Sequence, residues 1–148
     1  MTKKDVVVSV RGVQTAGNEE DVMELEVVGT LQENDGGFVL EYTEYDTDDD
    51  ENRTVIVTRG NNFVSMTKFG ELTTEMIFES DTRHTCNYVT PYGDITMGVY
   101  TNTAEVSLTA DGGNILLDYN IDFNTGFAAN NRLAISVSPG KGEDKEKV

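Results

Sequence analysis

His84 and Cys86 are the residues of this sequence that most readily suggest chemistry, and they are its only histidine and its only cysteine. A thiol beside an imidazole can form a nucleophilic pair, or it can supply two ligands to a metal ion. A Cys–His nucleophile needs a third residue to orient the base, and zinc needs three or four ligands. Because the sequence holds no second His or Cys, we predict a partly buried structural pair, with no catalytic residue, no metal site and no cofactor.

The segment of residues 44–52 offers a second kind of chemistry, since its carboxylates are spaced closely enough to bind calcium. They are Glu44, Asp46, Asp48, Asp49, Asp50 and Glu51. The EF-hand loop requires a glycine at its sixth position and flanking helices, and neither accompanies this segment. Runs of like charge are usually solvated. We therefore predict a solvated connection between strands that binds no calcium specifically.

Three tyrosines, Tyr42, Tyr88 and Tyr119, fall on the same alternating phase as their apolar neighbours, which predicts that they point inward. Buried hydroxyl groups need hydrogen-bond partners, which can be one another, water or a ligand. Core packing and ligand binding both remain open, because a barrel can hold a small ligand. Together with His84, the three tyrosines form the predicted ligand-binding set in the interior.

The charge of the chain excludes some partners. The 148 residues include 11 basic and 27 acidic ones, which gives a net charge of −16. Such a surface repels phosphates and anionic lipids, so we expect neither nucleic acid nor a membrane as a partner. One cysteine cannot form an internal disulfide, and no apolar run reaches the length of a signal peptide or membrane span. We expect a cytoplasmic protein with one domain over residues 1–140 and a disordered charged tail over residues 141–148.

The elements that must position these residues are β-strands. Residues 85–123 indicate which positions of the strands face inward and which face outward. Thr90-Pro91-Tyr92-Gly93 fits a type I turn, because Pro91 supplies the fixed φ of the second position. A connection with an even number of residues places one set of inward residues on the same face: His84, Cys86, Tyr88, Ile95, Met97 and Val99. We call this the even register. An odd register would mix the two faces, so we predict the even one.

Two further turns are predicted within the same stretch. The Gly-Gly centre of Asp111-Gly112-Gly113-Asn114 predicts a two-residue hairpin turn, with Leu108 opposite Leu117. Thr101-Asn102 predicts an even-length loop between two more strands.

Earlier in the chain, two turns predict the register of neighbouring strands. Gly60-Asn61 reads as a two-residue turn that aligns Val57 with Val64. Lys68-Phe69-Gly70 reads as a three-residue hairpin with its glycine at the left-handed position.

The overall class follows from the strand pattern. The run of residues 21–33 is long for a strand, and Gly29 falls on its inward phase, where a missing side chain permits a bend. Long strands bent at glycine are typical of closed barrels, and closure removes exposed strand edges. The connections are short, and no helical period occurs. The sequence therefore predicts an all-β protein, an antiparallel up-and-down β-barrel of about 8–10 strands.

Residues 90–101, T-P-Y-G-D-I-T-M-G-V-Y-T, carry a family resemblance together with the hairpin of residues 112–121 and the closing N-R-L-A-I-S-V. This pattern resembles the bacterial DUF1934 family of YwiB-like proteins over nearly all of residues 5–138. The positions that match its motif are Gly70, Phe78, Tyr88, Thr90, Tyr92, Gly93 and Thr101. The resemblance implies a calycin-like (lipocalin-type) barrel. The family is functionally uncharacterised, so no catalytic residue carries over, and the acidic segment and Lys-rich tail depart from its pattern.

Two functional hypotheses follow from these observations. The first is a binding module that holds a small amphipathic molecule inside the barrel. The alternative is a non-enzymatic interaction protein whose barrel is filled and whose acidic surface docks a basic protein partner. A hydrolytic or isomerising enzyme comes third, since the chain has no P-loop, no G-x-G-x-x-G and no G-x-S-x-G. Large side chains such as Phe38, Phe78 and Met97 decide between the first two, because they could fill the interior.

Overall fold

The computed structural model describes residues 3–45, 51–70, 73–90, 93–123, 126 and 128–140. Ten strands account for nearly all of them. They are β1 (Lys3–Ala16), β2 (Glu19–Asn34), β3 (Gly37–Tyr45), β4 (Glu51–Arg59), β5 (Phe63–Phe69), β6 (Thr74–Glu79), β7 (Thr82–Thr90), β8 (Gly93–Thr109), β9 (Gly112–Phe123) and β10 (Ala128–Pro139). Within this described part, no helix is long and apolar enough to cross a membrane.

The strands form one antiparallel sheet that curls into a nearly closed barrel, which confirms the predicted fold class. Their order in the sheet is β6-β5-β4-β3-β2-β1-β10-β9-β8-β7. Strands that follow one another in sequence therefore pair, and the first strand pairs with the last, as in an up-and-down barrel. The exception is the β6–β7 connection, where the two ends of the sheet meet without pairing.

Among the described residues, the gap between β6 and β7 is bridged at the end where these two strands connect. β8 continues past the start of β7, and this extension contacts the β4–β5 and β6–β7 turns. The amide of Val106 donates to the carbonyl of Asn61 at 3.0 Å, and the amide of Ala104 donates to Ser80 Oγ at 3.1 Å. The amide of Asp81 donates to the carbonyl of Thr101 at 2.8 Å. The described residues thus form a closed end at these turns and leave the end where β6 begins open.

Large apolar side chains pack the half of the barrel nearest the closed end. Phe78, Ile56 and Ile135 are fully buried there, and Leu40 is 1% exposed. Burying each such side chain contributes about 1.5–3 kcal/mol, so this half provides much of the stability. The half nearest the open end is lined by smaller or more flexible residues.

Two sequence predictions of packing and register are confirmed. His84 pairs with Val99 and Cys86 with Met97, the even register predicted for the Thr90–Gly93 connection. Gly29 lies on the inner face and pairs with Tyr42. A Cβ at Gly29 would contact the Glu41 carbonyl oxygen and lie 3.0 Å from the Cβ of Tyr42. The glycine therefore permits a close approach of backbone inside the barrel.

The predicted register of the β8–β9 hairpin is wrong by four residues. Leu108 lies opposite Gly113, instead of opposite Leu117, and the turn is formed by Ala110 and Asp111. Gly113 lies within β9, and this position requires glycine because a Cβ there would collide with the carbonyl oxygen of Ser107. An even shift preserves the faces, so Leu108 and Leu117 still lie on the same face.

The loop predicted at Thr101-Asn102 is also wrong, since β8 runs unbroken through both residues. Thr101 pairs with Tyr119 and Thr103 with Asp118, which leaves Asn102 as an extra residue in a β-bulge. A bulge changes the inward phase from odd to even residue numbers. An even-length loop produces the same change from odd to even inward positions. The alternation of residues therefore could not distinguish the bulge from a loop.

The predicted pairing of β4 with β5 is wrong by one residue. Arg59 pairs with Phe63, so three residues form the turn and Val57 does not align with Val64. The inner face of β4 consequently carries Thr58, whose Oγ1 accepts a hydrogen bond from the amide of Phe38 at 3.0 Å. Valine and threonine alternate here, and both fit a half-buried sheet, so the pattern alone could not fix the phase.

The predicted three-residue hairpin at Lys68-Phe69-Gly70 is wrong as well. Lys68 pairs with Thr74 and therefore belongs to the β5–β6 ladder. Gly70 has no positive φ.

The acidic residues 46–50, Pro91, Tyr92 and the tail of residues 141–148 lie outside the described residues. The predictions made for them stay predictions.

Candidate functional site

Two adjoining cavities lie toward the open end of the barrel. The first, which we call the inner cup, has a volume of about 250 Å³. The lining residues on the inward phase of their strands are Gly12, Gln14, Asp21, Met23, Met66, Lys68, Met76, Tyr119, Asn131 and Leu133. The second, which we call the seam cleft, lies between β6 and β7, has a volume of about 330 Å³, and is lined by Thr73, Glu75, Met76, Ile77, His84, Thr85, Cys86 and Val99. Met76 lines both cavities and therefore separates them.

The inner cup is open because its inward positions carry either no side chain, as at Gly12, or flexible side chains. At Gly12 an added Cβ would lie 3.3 Å from Leu133 Cδ1 and 3.6 Å from Met23 Cε. Three of the five methionines of the chain, Met23, Met66 and Met76, line the cup. Methionine side chains are flexible and polarisable, so this wall can adapt to the shape of an apolar group.

A row of polar residues crosses the inner face beside this apolar wall. Thr101 on β8 pairs with Tyr119 on β9, Tyr119 with Asn131 on β10, and Asn131 with Gln14 on β1. We call these four residues the polar row. Thr101 is fully buried behind Tyr119, whereas the other three members line the cup.

The polar row is only partly satisfied by the protein. Gln14 Nε2 donates to Asn131 Oδ1 at 3.2 Å. Within the described part of the chain, Asn131 Nδ2 and Thr101 Oγ1 are buried atoms without a hydrogen-bond partner. A buried polar group left unpaired costs about 1–3 kcal/mol. Such groups in a folded protein usually meet water or a ligand.

Tyr119 stands at the centre of the polar row and is 8% exposed. Its ring packs on that of Phe78, with centroids 4.6 Å apart and planes tilted by 52°. Burial raises the pKa of Tyr119 from 10.0 to about 12. The hydroxyl is therefore neutral at physiological pH and can both donate and accept a hydrogen bond.

Tyr42 lies apart from both cavities, in the packed core, and is 4% exposed. Burial and, to a smaller extent, the negative charge of Glu44 raise the pKa of Tyr42, a hydrogen bond with Thr54 partly opposes them, and the net pKa is about 12. Its hydroxyl thus has a partner within the protein.

His84 lies in the seam cleft, where its Nε2 is 3.3 Å from Glu79 Oε1 and its side chain is 32% exposed. Cys86 lies two residues further on and lines the same cleft. Among the described residues, no group of three His, Cys, Asp or Glu side chains could hold a metal ion. The backbone of Tyr88 pairs with Ile95, and its side chain lies outside the described part. The structure therefore separates His84 from Tyr119, with Met76 between their cavities.

Sequence reasoning missed Asn131 and Gln14. Residues 124–131 contain three asparagines and a glycine, a composition typical of a loop, whereas β10 begins at Ala128. Extending the alternation of Leu133 and Ile135 backwards would have placed Asn131 on the inner face.

These features define a small antiparallel β-barrel with one packed half and one interior cup. The model of a domain of unknown function, DUF1934, matches residues 8–135, so the chain belongs to that family. The ywiB protein from Bacillus subtilis has a similar solved structure, with a TM-score of 0.75 and 16% sequence identity. The match covers 90% of this chain and 92% of that one, and at this identity it shows the fold alone. No curated protein matches this sequence.

Proposed function

We propose that this protein is a binding module that holds a small amphipathic molecule in the inner cup. The observation that carries the proposal is the position of Asn131 Nδ2, a buried donor without a partner in a cup that is also lined by three methionines. An apolar pocket with a few convergent polar groups is the usual form of a small-molecule site. In such a site the apolar wall supplies affinity and the polar groups fix the orientation of the ligand.

The dimensions of the cup limit the ligand. Pockets for drug-sized molecules range over roughly 300–1,000 Å³, and the cup, at about 250 Å³, falls just below that range. A ligand that satisfies Asn131 Nδ2 must present a hydrogen-bond acceptor. We therefore propose a short apolar body with one carbonyl, carboxylate or hydroxyl oxygen that reaches Asn131 and Tyr119.

The filled-barrel alternative has support in one half of the molecule only. Phe78 and Leu40 fill the closed half, as a barrel without a ligand requires. Gly12 and the flexible methionines of the open half provide no such filling, and a basic protein partner would leave Asn131 Nδ2 without an acceptor. The binding module is therefore the better account of the interior.

Methyl NMR tests the proposal directly, because the cup methionines report on their surroundings. The protein is labelled at the methionine methyl groups and titrated with a series of short-chain alkyl amides and carboxylates. We expect saturable shifts of Met23, Met66 and Met76 for at least one chain length. Met97 lines neither cavity and serves as the internal control. Shifts that involve Met97 equally, or no shifts with any probe, would contradict binding in the cup.

A further inference from the structure

A groove on the outside of the barrel combines charge and apolar surface in an arrangement that neither the fold nor the inner cup requires. It has a volume of about 490 Å³, and its lining residues lie on β2, β1, β10, β9 and β8. We use six of its residues and call them the outer patch: Arg11, Arg132, Ala134, Leu116, Asp118 and Glu105. They alternate with inward-facing residues such as Val10, Ile115 and Ile135, which places them on the outer face.

The two arginines of the outer patch lack the partners that the other arginines have. Arg53 lies 3.6 Å from Glu41, and Arg83 lies 2.8 Å from Asp122. Arg59 stacks over the ring of Phe63, 5.8 Å from its centroid. Within the described residues, Arg11 and Arg132 make no ion pair and no ring contact.

Asp118 lies directly opposite Arg132, yet its carboxylate is engaged elsewhere. Asp118 Oδ1 accepts hydrogen bonds from the side-chain amides of Asn102 at 3.2 Å and Asn130 at 3.0 Å. These two amides hold the carboxylate in place. Its second oxygen can then meet a cation that approaches from outside the barrel.

An exposed apolar side chain stands at the centre of the outer patch. Leu116 is 45% exposed, and it lies opposite Ala134 on one side and Glu105 on the other. Single exposed leucines are ordinary on protein surfaces. Here the leucine is flanked by a small residue and by charges of both signs, so a partner could cover it without steric conflict.

The register arranges the outer patch in two parallel rows. One row runs Arg11, Ala134, Leu116, Glu105 across β1, β10, β9 and β8. In the next row, Arg132 on β10 lies beside Asp118 on β9. Within the six residues, both rows place the base on the β1–β10 side and the acid on the β9–β8 side; on β2, Glu24 pairs with Arg11 and Glu20 also lines the groove. If a second copy is rotated by 180° about an axis parallel to the strands, the bases of one outer patch therefore face the acids of the other.

We propose that the outer patch is a homodimer interface, occupied by a second copy of this chain. A two-fold axis parallel to the strands, between β9 and β10, brings Arg11 opposite Glu105 of the second copy. The same axis brings Arg132 opposite Asp118 and Leu116 opposite Ala134 of the second copy. Such an isologous contact repeats each ion pair twice, which is the usual form of a two-fold interface.

A second copy fits this surface better than the other possible partners. A basic protein would meet Arg11 and Arg132, and an acidic one would meet Glu105 and Asp118. A copy of the patch presents both signs at the strand spacing that the rows require. The net charge of −16 opposes self-association, and the opposite charges within the patch offset this repulsion locally.

Sedimentation velocity over low to several hundred micromolar protein tests the proposal. We expect a reversible monomer–dimer equilibrium for the wild type. Arg11→Glu and Glu105→Arg each place like charges in contact twice, so each should raise the dissociation constant about tenfold or more. An equimolar mixture of the two variants should form a heterodimer, because both contacts between positions 11 and 105 then join opposite charges.

Arg59→Glu is the matched control, since it makes the same change of charge outside the outer patch. We expect it to dimerise like the wild type, and thermal melting checks that every variant is folded. A wild type that stays monomeric at every concentration overturns the proposal. So does a mixture that fails to associate, or an Arg59→Glu variant that dissociates as much as Arg11→Glu.

Discussion

Asn131 lies directly opposite Tyr119 on the inner wall of the barrel, so a buried amide nitrogen without a partner stands beside a buried phenol. Both side chains line the inner cup. The pairing places two neutral hydrogen-bonding groups side by side on the wall of the inner cup. This arrangement can orient one oxygen of a small molecule, and the following predictions depend on it.

Tyr119→Phe should weaken binding of the best alkyl probe by about 1 kcal/mol, the net contribution of one hydrogen bond. The fold should persist, because the remaining ring still packs on Phe78. Isothermal titration with the same probe measures the loss. Tyr42→Phe is the control: it removes a hydrogen bond with Thr54 and should leave the probe affinity unchanged. Equal losses in both variants would contradict a site at Tyr119.

Thr101→Val should stabilise the protein without ligand by about 1–3 kcal/mol, since it replaces an unpartnered buried hydroxyl with a methyl group of similar volume. Urea unfolding measures the change. Thr58→Val is the matched control, because Thr58 Oγ1 accepts the amide of Phe38 at 3.0 Å. That variant should be destabilised by a similar amount. A destabilised Thr101→Val variant would show that the hydroxyl has a partner in solution.

The stability of the protein should fall in alkali. The pKa values of Tyr42 and Tyr119 are raised from 10.0 to about 12 in the fold, so the unfolded chain loses these protons first. The contribution of each tyrosine is fully present below pH 10 and is lost as the pH rises toward 12. Between these limits each tyrosine should lower the free energy of unfolding by roughly 1.4 kcal/mol per pH unit. Urea unfolding at several pH values should show a slope that Tyr119→Phe reduces; an unchanged slope would refute this account of Tyr119.

Two glycines of the inner face should respond differently to substitution. Gly29→Ala should cost about 1–3 kcal/mol, because the new Cβ meets the backbone at Glu41 and the Cβ of Tyr42. At Gly12 the nearest atoms are the mobile ends of Leu133 and Met23. Gly12→Ala should therefore melt near the wild-type temperature but narrow the cup and weaken binding of the longer probes. Equal losses of stability at both positions would contradict this difference.

Local alternation was sufficient to predict the class of fold and the inward direction of the central residues. The inward position of Gly29 and the even register that pairs His84 with Val99 followed from phase alone. The prediction of strand register was wrong where a glycine allows two backbones to pack closely and does not form a turn, as at Gly113. It failed also where a bulge at Asn102 imitates the phase change of a loop.

The candidate site was less accessible to sequence reasoning. Alternation placed Tyr119 inward, but Asn131 was hidden in a polar stretch that resembles a loop. The position of the inner cup depends on the missing pairing between β6 and β7 and on the bridge from Val106 to Asn61. Such contacts join distant parts of the chain, and no short pattern encodes them.

Native mass spectrometry of the protein, purified without denaturation from the cells that make it, tests the central claim most directly. We predict a species heavier than the 148-residue chain by the mass of one small molecule, and the extra mass should disappear on denaturation. Asn131→Leu, which removes the unpartnered donor, should lose most of this species while remaining folded. A wild type that carries no additional mass, or an Asn131→Leu variant that retains the same molecule, would contradict a ligand held in the inner cup.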